Sequence, residues 1–160
     1  MKFKEFELKE GNHFVAIEYY GLILNRTFLI LLTRDYLIGL KVNGVVSVQG
    51  GSDPLTQAVT NSMAITDDLQ NPYSYIKGNF LGKLENQNIL SDEILKVSCS
   101  NFKIDRSKII DVSHNKKKKW GMGPYPHDGK VYVKTSDNKI REFIIIGIQS
   151  GEKIANWIKK

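Results

Sequence analysis

Three histidines, one cysteine and a few adjacent acids are the residues whose chemistry could be catalytic, and their spacing gives them little to work with. His13, His114 and His127 are scattered, and Cys99 has no partner at metal-ligand spacing, so no zinc site can be read from the chain. Only His114 and His127, with Asp111 and Asp128 close by, could converge across one loop, where they would hold a divalent metal or serve a hydrolase. The alternative places His127 in a proline-flanked turn, hydrogen-bonded through one ring nitrogen. No Gly-x-Ser-x-Gly elbow is present, and Gly121-x-Gly123 lacks the third glycine and the following helix of a phosphate cradle. Asp67-Asp68 and Asp92-Glu93 are adjacent pairs. Neighbours on a helix point apart, so these acids read as solvated surface. The expectation is a protein that is not an enzyme, with no catalytic residue, no metal and no cofactor.

Binding chemistry is better represented. Residues 114–129 read His-Asn-Lys-Lys-Lys-Lys-Trp-Gly-Met-Gly-Pro-Tyr-Pro-His-Asp-Gly, a charged, aromatic, Gly/Pro-rich loop between apolar strands. Net charge is +6, and its distribution is uneven. Residues 1–50 balance at +1 and residues 51–113 at −2, whereas residues 114–160 carry eleven basic and four acidic side chains, or +7. Such a local field attracts phosphate, anionic lipid or an acidic partner, although a lysine run also serves as plain solvated surface. Two placements of Trp120 follow: packed on the sheet with the lysines in solvent, or presented outward with them.

The elements that must hold this loop are mostly strands. At 160 residues the chain fits one domain, 1–160, and buries about 70 % of its unfolded surface without needing a staple. One cysteine and an N-terminus that alternates charged and apolar residues point to a cytoplasmic protein, with the inner membrane face as a peripheral site. Residues 13–25 and 27–40 are rich in Ile, Leu, Phe, Tyr and Val, interrupted at Asn25-Arg26 and Arg34-Asp35 as hairpins require. Phe28, Ile30 and Leu32 share one strand face and Leu29 and Leu31 the other, so that strand is expected to be buried on both sides. Asn43-Gly44 predicts a tight positive-φ turn and a short strand to Val48.

A helical insertion is expected at about 53–87. Asp53-Pro54 reads as a helix start, with Leu55, Val59 and Met63 at four-residue spacing. Asn71-Pro72 repeats the signature before Tyr73, Ile76, Phe80, Leu81 and Leu84. Residues 90–97 are open between helix and strand. Strand character returns at 101–104 and 109–114 around a polar turn at Asp105-Arg106-Ser107. Val131 and Val133 alternate with Lys130, Tyr132 and Lys134, a turn at 136–139 leads to the apolar run 140–146, and Ser150 caps a last helix docked through Trp157.

Several strands, a basic loop and a closing amphipathic helix together resemble the pleckstrin-homology-like superfold, in particular bacterial PH and GRAM-type domains. The stretches that carry the resemblance are Leu31-Leu32-Thr33-Arg34-Asp35-Tyr36-Leu37-Ile38-Gly39-Leu40, Phe102-x-Ile104, Ile109-x-x-Val112, the loop glycines, and Lys139-x-Arg141-Glu142-Phe143-Ile144-Ile145. The resemblance implies a mainly β, α+β fold: a bent antiparallel sheet or partial barrel, with the helical insertion after the fourth or fifth strand and a C-terminal helix plugging one end.

A non-catalytic binding module follows, with Lys116, Lys117, Lys118, Lys119, Trp120, Tyr125 and His127 as its contact surface. The partner expected first is a protein or peptide; the alternative is reversible docking to anionic membrane lipid. Nucleic acid is disfavoured because the first two-thirds of the chain are near neutral. The apolar insertion face, Tyr73, Ile76, Phe80 and Leu84, either packs on the sheet or joins a second copy of the chain.

Overall fold

The computed structural model describes residues 1–20, 24–44, 68–122 and 125–160. Among these, the β-branched and aromatic runs form seven strands: β1 (His13–Tyr19), β2 (Asn25–Leu32), β3 (Tyr36–Asn43), β4 (Phe102–Asp105), β5 (Ile109–Asn115), β6 (His127–Thr135) and β7 (Ile140–Ile146). They make one antiparallel sheet in the order β4-β3-β2-β1-β7-β6-β5. The two edge strands are consecutive in the chain, joined only by the turn Arg106–Lys108. A flat sheet of this order would hold its edges about 29 Å apart, six strand spacings. The chain from Asp105 to Ile109 can reach at most about 14 Å. The sheet must therefore curl, and it forms a half-barrel.

Curling gives the sheet an inside and an outside, and both are apolar. Phe14, Ala16, Phe28, Ile30, Val131, Val133, Phe143 and Ile145 point inward, where Ile154, Ala155 and Ile158 of α3 (Gly151–Lys159) seal them. Val15, Ile17, Leu29, Leu31, Ile38, Leu40, Ile144 and Ile146 point outward and are also buried. The two-sided burial read for residues 28–32 is what the structure shows.

The outer face is covered by the described part of the segment before β4, residues 68–101. Asn71 caps a short 3-10 turn, Pro72–Tyr75, by accepting from the Tyr73 amide. The chain then forms α1 (Gly78–Leu84) and α2 (Glu93–Val97), and Tyr75, Leu84, Ile89 and Ile94 bury against the sheet. Several expectations are corrected here. Among the described residues the helices follow the third strand, and the further strand expected before them falls outside those residues. The face through Tyr73 is not one helix but a 3-10 turn and a separate helix, so Tyr75 is buried while Tyr73 is half exposed. Ile76 and Leu84 pack within the chain, and Phe80 lies under the Lys41 ammonium. Of residues 90–97, left open from sequence, Glu93–Val97 is helix and 90–92 are turn. Asn43-Gly44 has no positive φ: Asn43 pairs with Thr27, and its side chain bonds the Tyr75 carbonyl and the Gly44 amide. The helix start at Asp53 and the strand to Val48 lie outside the described residues.

The closing helix is fixed at both ends. Ser150 accepts from the Lys153 amide, as its position before the helix suggested. The first turn rests on β5: a Cβ added at Gly151 would stand 2.4 Å from His114 Nε2, so glycine is what permits this approach. At the other end Arg106 donates to the Trp157 and Ile158 carbonyls, at 3.1 and 3.0 Å, and to the Thr33 carbonyl at 2.9 Å. One guanidinium thereby satisfies orphan helix carbonyls and ties α3 to the β2–β3 turn. Gly39 does similar work inside the barrel, where any side chain would overlap the Phe102 ring that crosses β3 to stack on Phe143.

Candidate functional site: a rooted basic loop

The loop between β5 and β6 is built from its ends inward. Asn115 Oδ1 accepts from the Lys117 amide at 2.9 Å, turning the chain as it leaves β5. Gly129, with φ +71°, lies against the Asn115 carbonyl and Lys116, so the loop is pinched at its base. Lys119 then folds back over the outer sheet face, its Nζ 3.0 Å from Glu142 Oε1 and 5.1 Å from the Tyr19 ring centroid. After Gly121, with φ +85°, Met122 enters the outer core at 2 % exposure and accepts the Tyr19 hydroxyl on its sulfur. Tyr125 packs 6.1 Å from the Tyr75 ring, and the Pro126 carbonyl accepts from the Gly147 amide. Residues 123–124 lie outside the described part.

This anchoring sorts the expected contact residues into two groups. Lys116, Lys117 and Lys118 are exposed and form no ion pair with any described residue. Trp120 is 92 % exposed. Its ring faces solvent, which decides between the two placements open from sequence. Lys119, Tyr125 and His127 belong to the root instead. Lys119 is matched to Glu142, whose carboxyl burial would push up. Hydrogen bonds from Lys119 and Tyr132 and the charges of Lys119 and Lys130 outweigh this and hold it below the usual carboxylate range. His127 opens β6, with Nδ1 accepting from the Gly129 amide at 3.2 Å. Burial lowers its pKa, aided by the charges of Lys118 and Lys130.

The other histidines are also held structurally. His114 Nε2 donates to the Asp128 carbonyl at 2.7 Å, and Asp128 Oδ2 accepts from the Gly151 amide at 2.8 Å. His13 Nδ1 faces the Lys9 carbonyl at 2.9 Å, leaving Nε2 to accept the Tyr73 hydroxyl. Its pKa is lowered by burial. Among the described residues no three His, Cys, Asp or Glu side chains gather as a metal group. Among them, too, no helix is long and apolar enough to cross a membrane. Comparison with protein-family models, curated proteins and solved structures finds no match for this chain.

One basic group was missed from sequence. Arg34, Arg106, Lys159 and Lys160 meet around a 380 Å³ cleft between β5 and the end of α3. They lie in three separate parts of the chain, and nothing in their spacing signals the meeting. The adjacent Lys159-Lys160 was the one visible hint.

Proposed function

We propose that the protein is a PH-like, non-catalytic binding module that docks reversibly on an anionic membrane surface through the loop at 116–122. The strand order, the curled sheet and the closing helix support the PH-like assignment. The observation that carries the function is Trp120, held outward next to three lysines that form no ion pair with a described residue, by a loop whose following residue Met122 is buried. An indole exposed to this degree costs solvation that intramolecular packing would remove, and it suits the headgroup layer, where one edge is wet and the other apolar.

Magnitudes favour a weak, reversible contact. Three lysines near an anionic leaflet contribute about 3 kcal/mol. Half-burying an indole adds about 2–3 kcal/mol. Together these correspond to roughly 0.1 mM, enough for transient docking and too little for permanent attachment. The lysines are consecutive, so their side chains fan outward, which a diffuse anionic surface tolerates better than a shaped socket. The test is co-sedimentation with vesicles containing anionic lipid or only zwitterionic lipid. Binding should need anionic lipid, weaken with salt, and disappear in a variant combining Lys116→Ser, Lys117→Ser, Lys118→Ser and Trp120→Ser. Equal binding to both vesicle types, or none to either, would end this reading.

A protein or peptide partner is the second reading. What favours it is the outer edge of β5, which has no strand beside it among the described residues.

A further inference from the structure

We infer that the protein pairs with a second copy of itself through the cleft between residues 8–13 and the start of α3, with Ile148 of each copy seated in the cleft of the other, an association that the membrane reading neither needs nor excludes. Three exposed apolar side chains among the described residues, Leu8, Tyr73 and Ile148, line one 430 Å³ cleft together with Ile154 and Trp157. Ile148 is 78 % exposed, yet the chain on both sides of it is fixed. Gly147 before it takes φ +68°, where a Cβ would stand 2.4 Å from the Gln70 carbonyl oxygen. The Ile148 amide donates to that same carbonyl at 2.9 Å. Gln149 after it accepts from the Val15 amide at 2.9 Å and donates to the Val15 and Ile146 carbonyls at 2.7 and 2.8 Å. A mount of this kind holds an isoleucine in water with little backbone freedom left to lose when a partner covers it. Tyr73 lines the cleft with its hydroxyl already taken by His13 Nε2, so the ring is what it offers.

Shape and charge select the occupant. A projecting side chain beside a hollow is self-complementary under a two-fold axis, because each copy supplies the knob that the hollow of the other takes. The charges follow the same rule. Glu10 and Lys153 lie 3.9 Å apart on the rim, and Lys9 pairs with Glu7 at 2.8 Å, all four exposed. These four groups are neutral together in a chain of net charge +6. Two such chains repel over much of their surface, and a neutral rim is where they can approach. Across the two-fold axis Glu10 of one copy meets Lys153 of the other, twice. An anionic membrane would meet two carboxylates here, and a partner of strong net charge would find no field to recognise.

The experiment is sedimentation equilibrium of the full chain from about 5 μM to 500 μM, a range that resolves a weak dimer. The parent should pass from monomer to dimer across it. Ile148→Asp should weaken association about tenfold or more while leaving the urea midpoint of the monomer unchanged. Glu10→Lys and Lys153→Glu should each weaken association, and an equimolar mixture of the two should restore it, since one chain then carries two cations at these positions and the other two anions. Trp120→Ser should associate as the parent does. A parent that stays monomeric throughout, or a dimer untouched by Ile148→Asp, would overturn the inference. A mixture no stronger than its components would refute the two-fold exchange, and loss of the dimer in Trp120→Ser would move the contact to the basic loop. A marked loss of monomer stability in Ile148→Asp would mean that the chain's own residues cover this side chain, and would contradict the docking.

Discussion

Lys119 Nζ stands 3.0 Å from Glu142 Oε1, and this contact divides a run of four identical residues into one that builds the fold and three that do not. Lys119→Ala should destabilise the protein by about 1 kcal/mol, combining a partly buried ion pair with the contact to the Tyr19 ring. Lys117→Ala should leave stability unchanged, and urea denaturation of the two variants checks the difference. Vesicle binding should respond the other way, falling more for Lys117→Ala.

Arg106 joins α3 to the β2–β3 turn through three carbonyls. Arg106→Ala leaves these half-buried acceptors unsatisfied and should cost about 2–3 kcal/mol. Arg34→Ala, an exposed neighbour, should stay within about 0.5 kcal/mol of the parent. Amide exchange should rise at the end of α3 in the first variant alone.

Gly151 lies against His114 and the Asp128 carbonyl, with room for no side chain. Gly151→Ala should lower stability by about 1–3 kcal/mol despite alanine's better helix propensity, because overpacking outweighs it. A melting temperature equal to or above the parent's would show that the contact is looser than described.

Acid should weaken the fold in two steps. His13 and His127 have lowered pKa values, chiefly through burial, so the unfolded chain takes up protons there first. Their contribution is present above the unfolded value near 6.5 and is lost as pH falls through the lower folded values. Glu142 and Asp137 follow the same sign lower down, with Asp137 held to about 2 by hydrogen bonds from Lys139 and Thr135. Denaturant titrations from pH 7 to pH 3 should show stability falling in both ranges, and replacing His13 and His127 by Asn should flatten the first.

Much of the frame was legible because local patterns set it. The alternation at 130–134, the turn at 136–139, the buried run 143–146 and the Ser150 cap all report backbone geometry directly in residue types. The face of Tyr73 and Leu84 was misread as one helix because Tyr75, which actually buries, sits off that face. The site was half legible. Composition located the loop but could not tell Lys119 from Lys118, because that depends on Glu142, twenty-three residues away in sequence and reached only once β6 and β7 pair. The basic cleft was hidden for the same reason: Arg34, Arg106 and Lys159 meet only through the curl of the sheet.

The most direct measurement is the emission of Trp120 in a Trp157→Phe background, which leaves it the sole indole. Vesicles containing anionic lipid should shift this emission to the blue, saturably and reversibly with salt, while zwitterionic vesicles leave it unchanged. An emission unmoved by anionic vesicles, or already blue in buffer, would contradict an outward indole that docks on membrane.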